Sequence, residues 1–332
     1  KVSKMHKQLS KLFGLSLLCL VSIVFAFTFG AIDISNQALI ECLFSQCENS
    51  ITETVVWQIR MPRILVAVVA GMGLAIAGAL LQNITANPLA DPYLFGIVSG
   101  AGLGATIASI TLANQISLSL PIAAFLGALL AISLVVLIAK VLNRIEQLLL
   151  AGVAVSFMLA AISQFILYLG EPFAANRVLF WLMGSLARVE MDNFYLIALV
   201  LSATLLIIFA YHRQIDALLL GDENAASLGV NVSRLRFIML ILCAAITATI
   251  VAYCGGIGFV GLMIPHIVRQ FLGVTTLPLI LGSALLGASF LIWVDVIAKT
   301  SLPESEIPLG IITSAVGSAF FLIIMYQTRH RN

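Results

Sequence analysis

The chain has 332 residues, of which 61% are apolar and only 10% are charged, and its formal net charge is +2. A soluble domain carries about 25% charged residues, so this composition excludes a water-soluble protein and predicts an integral membrane protein. The chain contains no block of basic residues, and we therefore expect no nucleic-acid partner.

Apolar segments long enough to cross a bilayer run through the whole chain. A spanning helix needs about 20 residues, with a range of about 17–25. Segment 258–272 is short, so it is either half-buried or continues into a flanking stretch. We predict an all-α polytopic membrane protein, one domain over residues 1–332, with ten spans at about 11–30, 62–82, 94–113, 120–140, 147–169, 192–211, 235–254, 258–272, 276–297 and 308–326.

The distribution of Lys and Arg predicts the orientation, because cytoplasmic loops are enriched in these residues. If the N-terminus lies in the cytoplasm and the spans alternate, twelve of the seventeen basic residues are cytoplasmic. Both termini and segment 213–236 are then expected in the cytoplasm. The five outer basic residues are Arg60, Arg63, Arg177, Arg188 and Lys299.

The first outer loop contains two cysteines. Cys42 and Cys47 lie together there, where an oxidising compartment permits a disulfide, although two free thiols fit the residues equally.

The connection between the second and third predicted spans is a break in the helical pattern. Segment 83–92 contains two prolines within five residues, which end a helix and hold the chain extended. This segment is either a plain turn or a re-entrant constriction, since non-helical backbone at membrane depth must be buried or face water.

Segment 213–236 is the longest hydrophilic interruption in the chain. It carries an apolar cluster at 218–220 and a second one around Ala225 and Leu228. Gly221 and Gly229 follow these clusters, and each glycine can end a short helix. We interpret the segment as two short helices on the membrane face that offer an apolar surface to a partner. The alternative is an ordered loop packed on its own bundle.

The last break is Gly255–Pro265, where four glycines and a proline exclude an uninterrupted helix. No Lys-Ser/Thr follows these glycines, so the segment is not a phosphate-binding loop. The four histidines are scattered, without a Cys or second His at ligand spacing, and we expect no metal site. No catalytic triad or carboxylate pair lies on one predicted surface, and we expect neither an enzyme nor a bound cofactor.

Motifs in four places now give a resemblance over nearly the whole length. They are Arg60-Met-Pro-Arg63, Asn87-Pro-Leu-Ala-Asp-Pro92, the run from Gly255 to Arg269, and Glu306-Ile-Pro-Leu-Gly310. In this order they resemble the FecCD/BtuC permeases, the membrane subunits of type II ATP-binding-cassette (ABC) importers for cobalamin, haem, ferric siderophores and some oxyanions. Within that family, overall similarity is greatest to the molybdate/tungstate permeases.

The resemblance implies a BtuC-like permease subunit in the bacterial inner membrane that functions as a homodimer. Two ATP-binding-cassette ATPase subunits, which bind the ATP and Mg, and a periplasmic substrate-binding protein would be its partners. Such a subunit has no catalytic activity of its own. The implied cargo is a small oxyanion (molybdate or tungstate) or a metal chelate, and the alternative is a ferric siderophore, haem or cobalamin.

The resemblance also implies roles for individual residues. Arg60, Arg63 and Lys299, where Lys replaces an Arg of the family, would dock the binding protein; the alternative is that they anchor helix ends near lipid headgroups. Asn87 and Leu89 would form a cytoplasmic gate. A second gate element, which has small hydroxylated residues in the cobalamin permease, falls here on Ile145 and Glu146. Segment 213–236 would couple to the ATPase through Leu218, Leu219, Gly221, Glu223, Ala225, Leu228 and Gly229.

Two other classes of function compete with this interpretation. An ion-coupled secondary transporter would need ionisable groups inside the membrane, and no predicted span has one near its middle. A polytopic membrane enzyme would need convergent nucleophiles or metal ligands. For the permease itself, a path without fixed acidic groups would suit an anionic cargo, because carboxylates would repel it.

Overall fold

The chain folds into a bundle of long helices. The computed structural model describes residues 2–30, 32, 34–44, 47, 49–111, 116–142 and 145–329, with side chains for all of these except 2–5, 116–119, 139–142, 145–149, 172 and 328–329. The α-helices are α1 Val2–Thr28, α2 Asn36–Phe44, α3 Ser50–Glu53, α4 Met61–Ile84, α5 Ile97–Thr111, α6 Ile116–Leu142, α7 Ile145–Leu169, α8 Pro172–Leu182, α9 Met191–Leu218, α10 Asp222–Ser227, α11 Val232–Cys254, α12 Val260–Leu272, α13 Thr276–Thr300 and α14 Leu309–Arg329.

Each of the ten predicted spans coincides with one of these helices. A π-helical stretch, Thr54–Arg60, joins α3 to α4, so that Ser50–Ile84 is one continuous segment. Within the described residues, eight segments are long and apolar enough to cross a membrane. The other two predicted spans are α5 and α12, with 15 and 13 residues. At 1.5 Å per residue they reach only about 20 Å, less than the roughly 30 Å of a hydrocarbon core. The all-α polytopic fold class is confirmed.

Helix α4 is the buried centre of the bundle and packs against α9, α11, α12 and α13. Glycines bring the backbones together at these crossings. A Cβ placed on Gly71 would lie 2.4 Å from the carbonyl oxygen of Gly287, and one on Gly78 would lie 1.8 Å from that of Gly261. Close helix packing through small residues is the common arrangement in membranes, and here it brings the helices into contact along much of α4.

The two ends of α4 define the two ends of the bundle. At the Arg63 end, α4 begins beside the last residues of α1 and α13. At the Asn83 end, α4 finishes near the start of α11 and the α12–α13 connection. Lys11 donates to the carbonyl of Phe271 over 2.7 Å, so α1 begins at the Asn83 end. Segment 213–236 lies at the same end, where Asp216 accepts from the backbone and hydroxyl of Thr276.

Three irregular segments meet inside the bundle, at 181–185, 254–258 and 309–310. The amide of Ser185 donates to Cys254 over 2.9 Å, and that of Gly310 donates to Met183 over 2.8 Å. Gly255 has φ +71°, and a Cβ there would lie 2.1 Å from the carbonyl oxygen of Trp181. The predicted break at Gly255 is therefore present, and its backbone groups find partners inside the protein, as membrane burial requires.

Candidate functional site

An open cavity of about 580 Å³ lies beside this irregular junction. Its wall comes from the segment between α4 and α5, the end of α8, the α11–α12 connection and the start of α14. The cavity therefore runs from the 85–91 turn at the Asn83 end to the junction inside the bundle. Its lining residues are Leu89, Asp91, Tyr93, Leu94, Val98, Leu182, Met183, Gly256, Gly258, Phe259, Leu262, Gly310, Ile311 and Ser314.

The cavity wall is mostly apolar, and its polar side chains are Ser314 and a small group around Asp91. The Asp91 side chain accepts a hydrogen bond of 2.7 Å from the amide of Tyr93, and only 6% of the residue is exposed. Burial raises the pKa of this carboxyl to about 6, and the hydrogen bond from Tyr93 partly opposes the shift. The Tyr93 hydroxyl in turn accepts from the amide of Ile257 over 2.7 Å. Tyr93 thus ties the 92–95 turn to the α11–α12 connection.

Asp91 adds a carboxyl group to the cavity wall, whereas the expectation of a path without fixed acidic groups stays a prediction. That expectation considered only helix interiors, and Asp91 lies in the non-helical segment between α4 and α5, where it caps the short 3₁₀ helix Pro92–Phe95. Asp91 is one of the residues that line the cavity. An anion would be repelled there whenever Asp91 is ionised.

The predicted gate residues Asn87 and Leu89 lie in the turn 85–91, and Leu89 lines the cavity. The turn 85–91 is held by its own hydrogen bonds, since the Asn87 side chain accepts from the amide of Leu89 over 2.9 Å. The Leu89 side chain is 58% exposed and lines the cavity. Ala86 has φ +50°, a left-handed conformation that a residue with a Cβ rarely adopts. The gating role of Asn87 and Leu89 stays a prediction.

The second predicted gate element falls on the start of α7. Ile145 is the first residue of that helix. The side chains of Ile145 and Glu146 lie outside the described residues, and their role in a gate also stays a prediction.

Segment 213–236 contains one short helix, where two were expected. The first apolar cluster does not form a separate helix, because α9 continues to Leu218 and a turn over 219–221 follows it. Nothing in the sequence interrupts the backbone hydrogen bonding before Gly221, which has φ +94°. The second cluster forms α10, and Gly229 follows it with φ +83°. Both glycines thus have a positive φ, which glycine adopts more readily than other residues.

The predicted coupling positions divide into buried and exposed residues. Leu218 and Ala225 are buried within this chain, with exposed fractions of 2% and 0%, so they support α10 and cannot contact a partner directly. Leu219 is half-buried. Leu228 is 67% exposed, and the other exposed members are Gly221, Glu223 and Gly229. Leu220, which was not among the predicted positions, is 61% exposed and adds a second leucine to this surface.

Arg236, which sequence reasoning did not single out, anchors α10. Its guanidinium forms a bidentate ion pair with Asp222, with N–O distances of 2.6 and 2.7 Å. The Nε of the same side chain donates to the backbone carbonyl of Ile84 over 2.8 Å. No periodic pattern relates residues 84, 222 and 236, so only the folded structure brings them together.

The predicted docking cations are buried at the Arg63 end. Arg63 lies between two carboxylates: its Nε is 2.9 Å from Asp295, and its two terminal nitrogens are each 2.8 Å from Glu306. Lys299 approaches Asp295 at 3.6 Å. Arg60 is 4% exposed and donates to the backbone carbonyls of Phe27 and Ile32.

Within this chain, these cations already have partners. The acidic residues near them in the fold are internal partners, because Asp295 is 2% exposed and the Glu306 side chain 37% exposed. The hydrogen bonds from Arg63 hold the pKa of Glu306 below its usual value. The stability from this pair is therefore present above the ordinary glutamate pKa and is lost as the pH falls through the lowered one. A docking role for Arg60, Arg63 and Lys299 stays a prediction.

The cysteines separate into a bonded pair and buried thiols. Cys42 and Cys47 form a disulfide between the end of α2 and the start of the next loop. Cys19, Cys243 and Cys254 are free and buried. Within the described part of the chain, no three His, Cys, Asp or Glu residues lie close enough to hold a metal ion.

Residues 18–327 match the model of the FecCD transport family. The chain is 35% identical over 323 residues to the Fe(3+)-citrate import system permease protein YfmE of Bacillus subtilis (strain 168), an alignment that covers 97% of this chain and 96% of the relative. It is 33% identical over 319 residues to the hemin transport system permease protein HmuU of Yersinia pestis, covering 91% and 93% of the two chains.

A solved structure has a fold similar to that of this chain. It is described as a metal-chelate type ABC transporter in an inward-facing conformation, and it is similar to this chain with a TM-score of 0.85. The sequence identity is 29%, and the match covers 96% of this chain and 99% of the solved one. The fold therefore has a counterpart over nearly the whole length of the chain.

Proposed function

The chain is an ABC-importer permease of the FecCD transport family, and we propose that its cargo is a metal chelate. The cavity beside the irregular junction carries this proposal. Its volume of about 580 Å³ lies within the roughly 300–1,000 Å³ typical of sites for organic ligands. Its apolar wall suits the organic shell of a chelate, which buries apolar surface without requiring a matching charge.

A small tetrahedral dianion fits this wall less well. The described lining residues include no Lys, Arg or His, and the carboxyl of Asp91 would add a repulsive charge. The two named relatives also favour the alternative in the sequence interpretation, since their names refer to ferric citrate and hemin. A ferric siderophore, haem or cobalamin therefore replaces molybdate or tungstate as the proposed cargo class.

The proposed assembly is a homodimer of this chain with two ATPase subunits and a binding protein, in the cytoplasmic membrane. The ATPases bind ATP and Mg and perform all the catalysis. They dock at the Asn83 end, where the exposed residues Leu220 and Leu228 offer an apolar contact surface. The twelve basic residues assigned to that side support a cytoplasmic location for it, together with both termini.

The test is uptake by the complete complex reconstituted in liposomes, with radiolabelled ferric citrate, a ferric siderophore, haem, cobalamin and molybdate supplied in parallel. We expect ATP-dependent uptake of at least one chelate and none of molybdate. The control contains an ATPase variant that cannot hydrolyse ATP. Uptake of molybdate alone would overturn the proposed cargo. Uptake driven by a pH gradient without ATP would instead support an ion-coupled carrier.

A further inference from the structure

The Arg236 side chain connects two regions with different proposed roles. One is α10, on the proposed ATPase-docking surface, and the other is the end of α4, which precedes the predicted gate residues. Arg236 binds Asp222, the first residue of α10, through both terminal nitrogens. It also binds the carbonyl of Ile84, the last residue of α4, through Nε. The Arg236 side chain is only 16% exposed, whereas that of Asp222 is 52% exposed. A motion of α10 therefore reaches the end of α4 through one planar, multiply bonded group.

The turn that follows Ile84 moves as a unit, because its hydrogen bonds are internal. The amide of Asn87 donates to Gln82 over 3.2 Å, and that of Ala90 donates to Asn87 over 3.2 Å. The Asn87 side chain additionally holds the amide of Leu89. With Ala86 in a left-handed conformation, the turn has little freedom to absorb a displacement locally. A shift of the Ile84 carbonyl is expected to displace Leu89, which lines the cavity.

A second arginine holds the same end of α4 from the opposite side. Arg269 donates to the Asn83 side chain over 3.0 Å, and Asn83 donates to the carbonyl of Val274 over 3.3 Å. These contacts connect α4 to the α12–α13 connection and not to α10. The end of α4, just before the turn 85–91, is thus held by two contacts. Arg236 connects it to α10, and Arg269 connects it to the rest of the bundle.

We propose that Arg236 is the positioning residue that transmits movement of α10 to the turn 85–91 and so to Leu89; this inference rests on the proposed function. The chemistry requires arginine at this position. A guanidinium offers five donors in a fixed plane, so it can bind a carboxylate with one edge and a carbonyl with Nε at the same time. An ammonium group has no such geometry and would satisfy only one of the two partners at full strength.

The experiment measures the separation of the two copies of residue 89 in the purified permease–ATPase complex. Spin labels are attached to Leu89→Cys, and the distances are compared without nucleotide and with ATP plus vanadate. The three free cysteines are buried, so labelling is confined to the introduced one. The wild-type background is expected to change its residue-89 separation on nucleotide binding.

Arg236→Ala should retain the ATPase subunits and hydrolyse ATP, while the population with the nucleotide-dependent separation falls at least about tenfold, because the variant loses three charge-assisted hydrogen bonds. Arg234→Ala is the matched control, because Arg234 is an exposed arginine two residues away on the same helix. It should leave the change in separation intact.

The double variant Asp222→Arg with Arg236→Asp tests whether the ion pair alone is sufficient or whether the bond to the Ile84 carbonyl is also needed. It can restore an ion pair, but an aspartate cannot donate to the Ile84 carbonyl. We expect it to retain the ATPase subunits without restoring the change at residue 89. Recovery of that change in the double variant, or a normal change in Arg236→Ala, would overturn the inference.

The outcomes also distinguish this inference from the proposed function. A wild-type complex without ATP-dependent uptake contradicts the proposed function itself. A wild-type complex that transports, combined with an Arg236→Ala complex whose residue-89 separation responds normally, contradicts only the role of Arg236. A transporting wild-type complex in which residue 89 does not move also contradicts that role, because there would be no displacement to transmit.

Discussion

Replacing Asp91 by asparagine is expected to stabilise the protein at neutral pH. Burial raises the pKa of this carboxyl from 3.8 to about 6. Since one pKa unit corresponds to about 1.4 kcal/mol, the ionised carboxylate destabilises the folded state by about 3 kcal/mol. In Asp91→Asn, the amide oxygen can still accept the 2.7 Å hydrogen bond from Tyr93. The variant therefore keeps the cap of the 92–95 turn and loses only the buried charge.

The pH dependence follows from the direction of the shift. Below 3.8 the carboxyl is protonated in both the folded and the unfolded chain, and its charge does not affect stability. As the pH rises from 3.8 to about 6, the folded protein keeps a proton that the unfolded chain has released, so the stability of the wild type falls. Above about 6 the full penalty is present. In Asp91→Asn, residue 91 contributes no change of stability between these pH values.

The assay is the thermal unfolding of the detergent-solubilised permease at pH values on both sides of this window. The Tm of Asp91→Asn should exceed that of the wild type at neutral pH, and the difference should shrink on acidification. Glu223→Gln is the control, because it removes an exposed carboxylate on α10 and should change stability by less than about 0.5 kcal/mol. An Asp91→Asn protein with an equal or lower Tm at neutral pH, or a pH-independent difference, would refute the reasoning.

Three further predictions concern the two ends of the bundle. Leu228→Asp should leave the permease folded but release the ATPases in pull-down assays. About two thirds of this leucine is exposed, and its burial in a partner would contribute roughly 1–2 kcal/mol. The control Ser227→Asp adds the same charge beside it and should still assemble. Arg63→Ala should lower the Tm by the equivalent of about 3 kcal/mol, because it deprives buried Asp295 of its nearest cation. A cysteine at Asn224 should react with an impermeant reagent in inside-out vesicles only, and reaction in intact cells would reverse the topology.

The membrane class and the positions of the long helices could be predicted from the sequence because their causes are local. A run of apolar residues favours the bilayer wherever the rest of the chain lies, and α1, α9, α11 and α13 follow their hydropathy closely. The breaks at 83–92 and at Gly255 were equally predictable, since proline and glycine act on the backbone beside them. The motifs at these breaks also carried the family resemblance.

The candidate site was predicted less completely, because its chemistry depends on partners far apart in the chain. Arg63 was predicted to dock a partner from the outer side, yet within this chain it pairs with Asp295 and Glu306, 232 and 243 positions away. Asp91 looked like a residue of a polar turn, and its burial against the α11–α12 connection becomes visible only once Tyr93 bonds Ile257. Residues 218–220 were expected to form a separate short helix, but α9 continues without a break through Leu218.

The sequence by itself thus determined which stretches enter the membrane and where the backbone must break, since hydropathy and the φ restrictions of proline and glycine are properties of short segments. Only the tertiary structure decided which charges are paired, which are exposed and which face the cavity. Those outcomes follow from the electrostatic and desolvation energies of groups that the fold brings together, as Arg236 shows by joining Asp222 to the last carbonyl of α4.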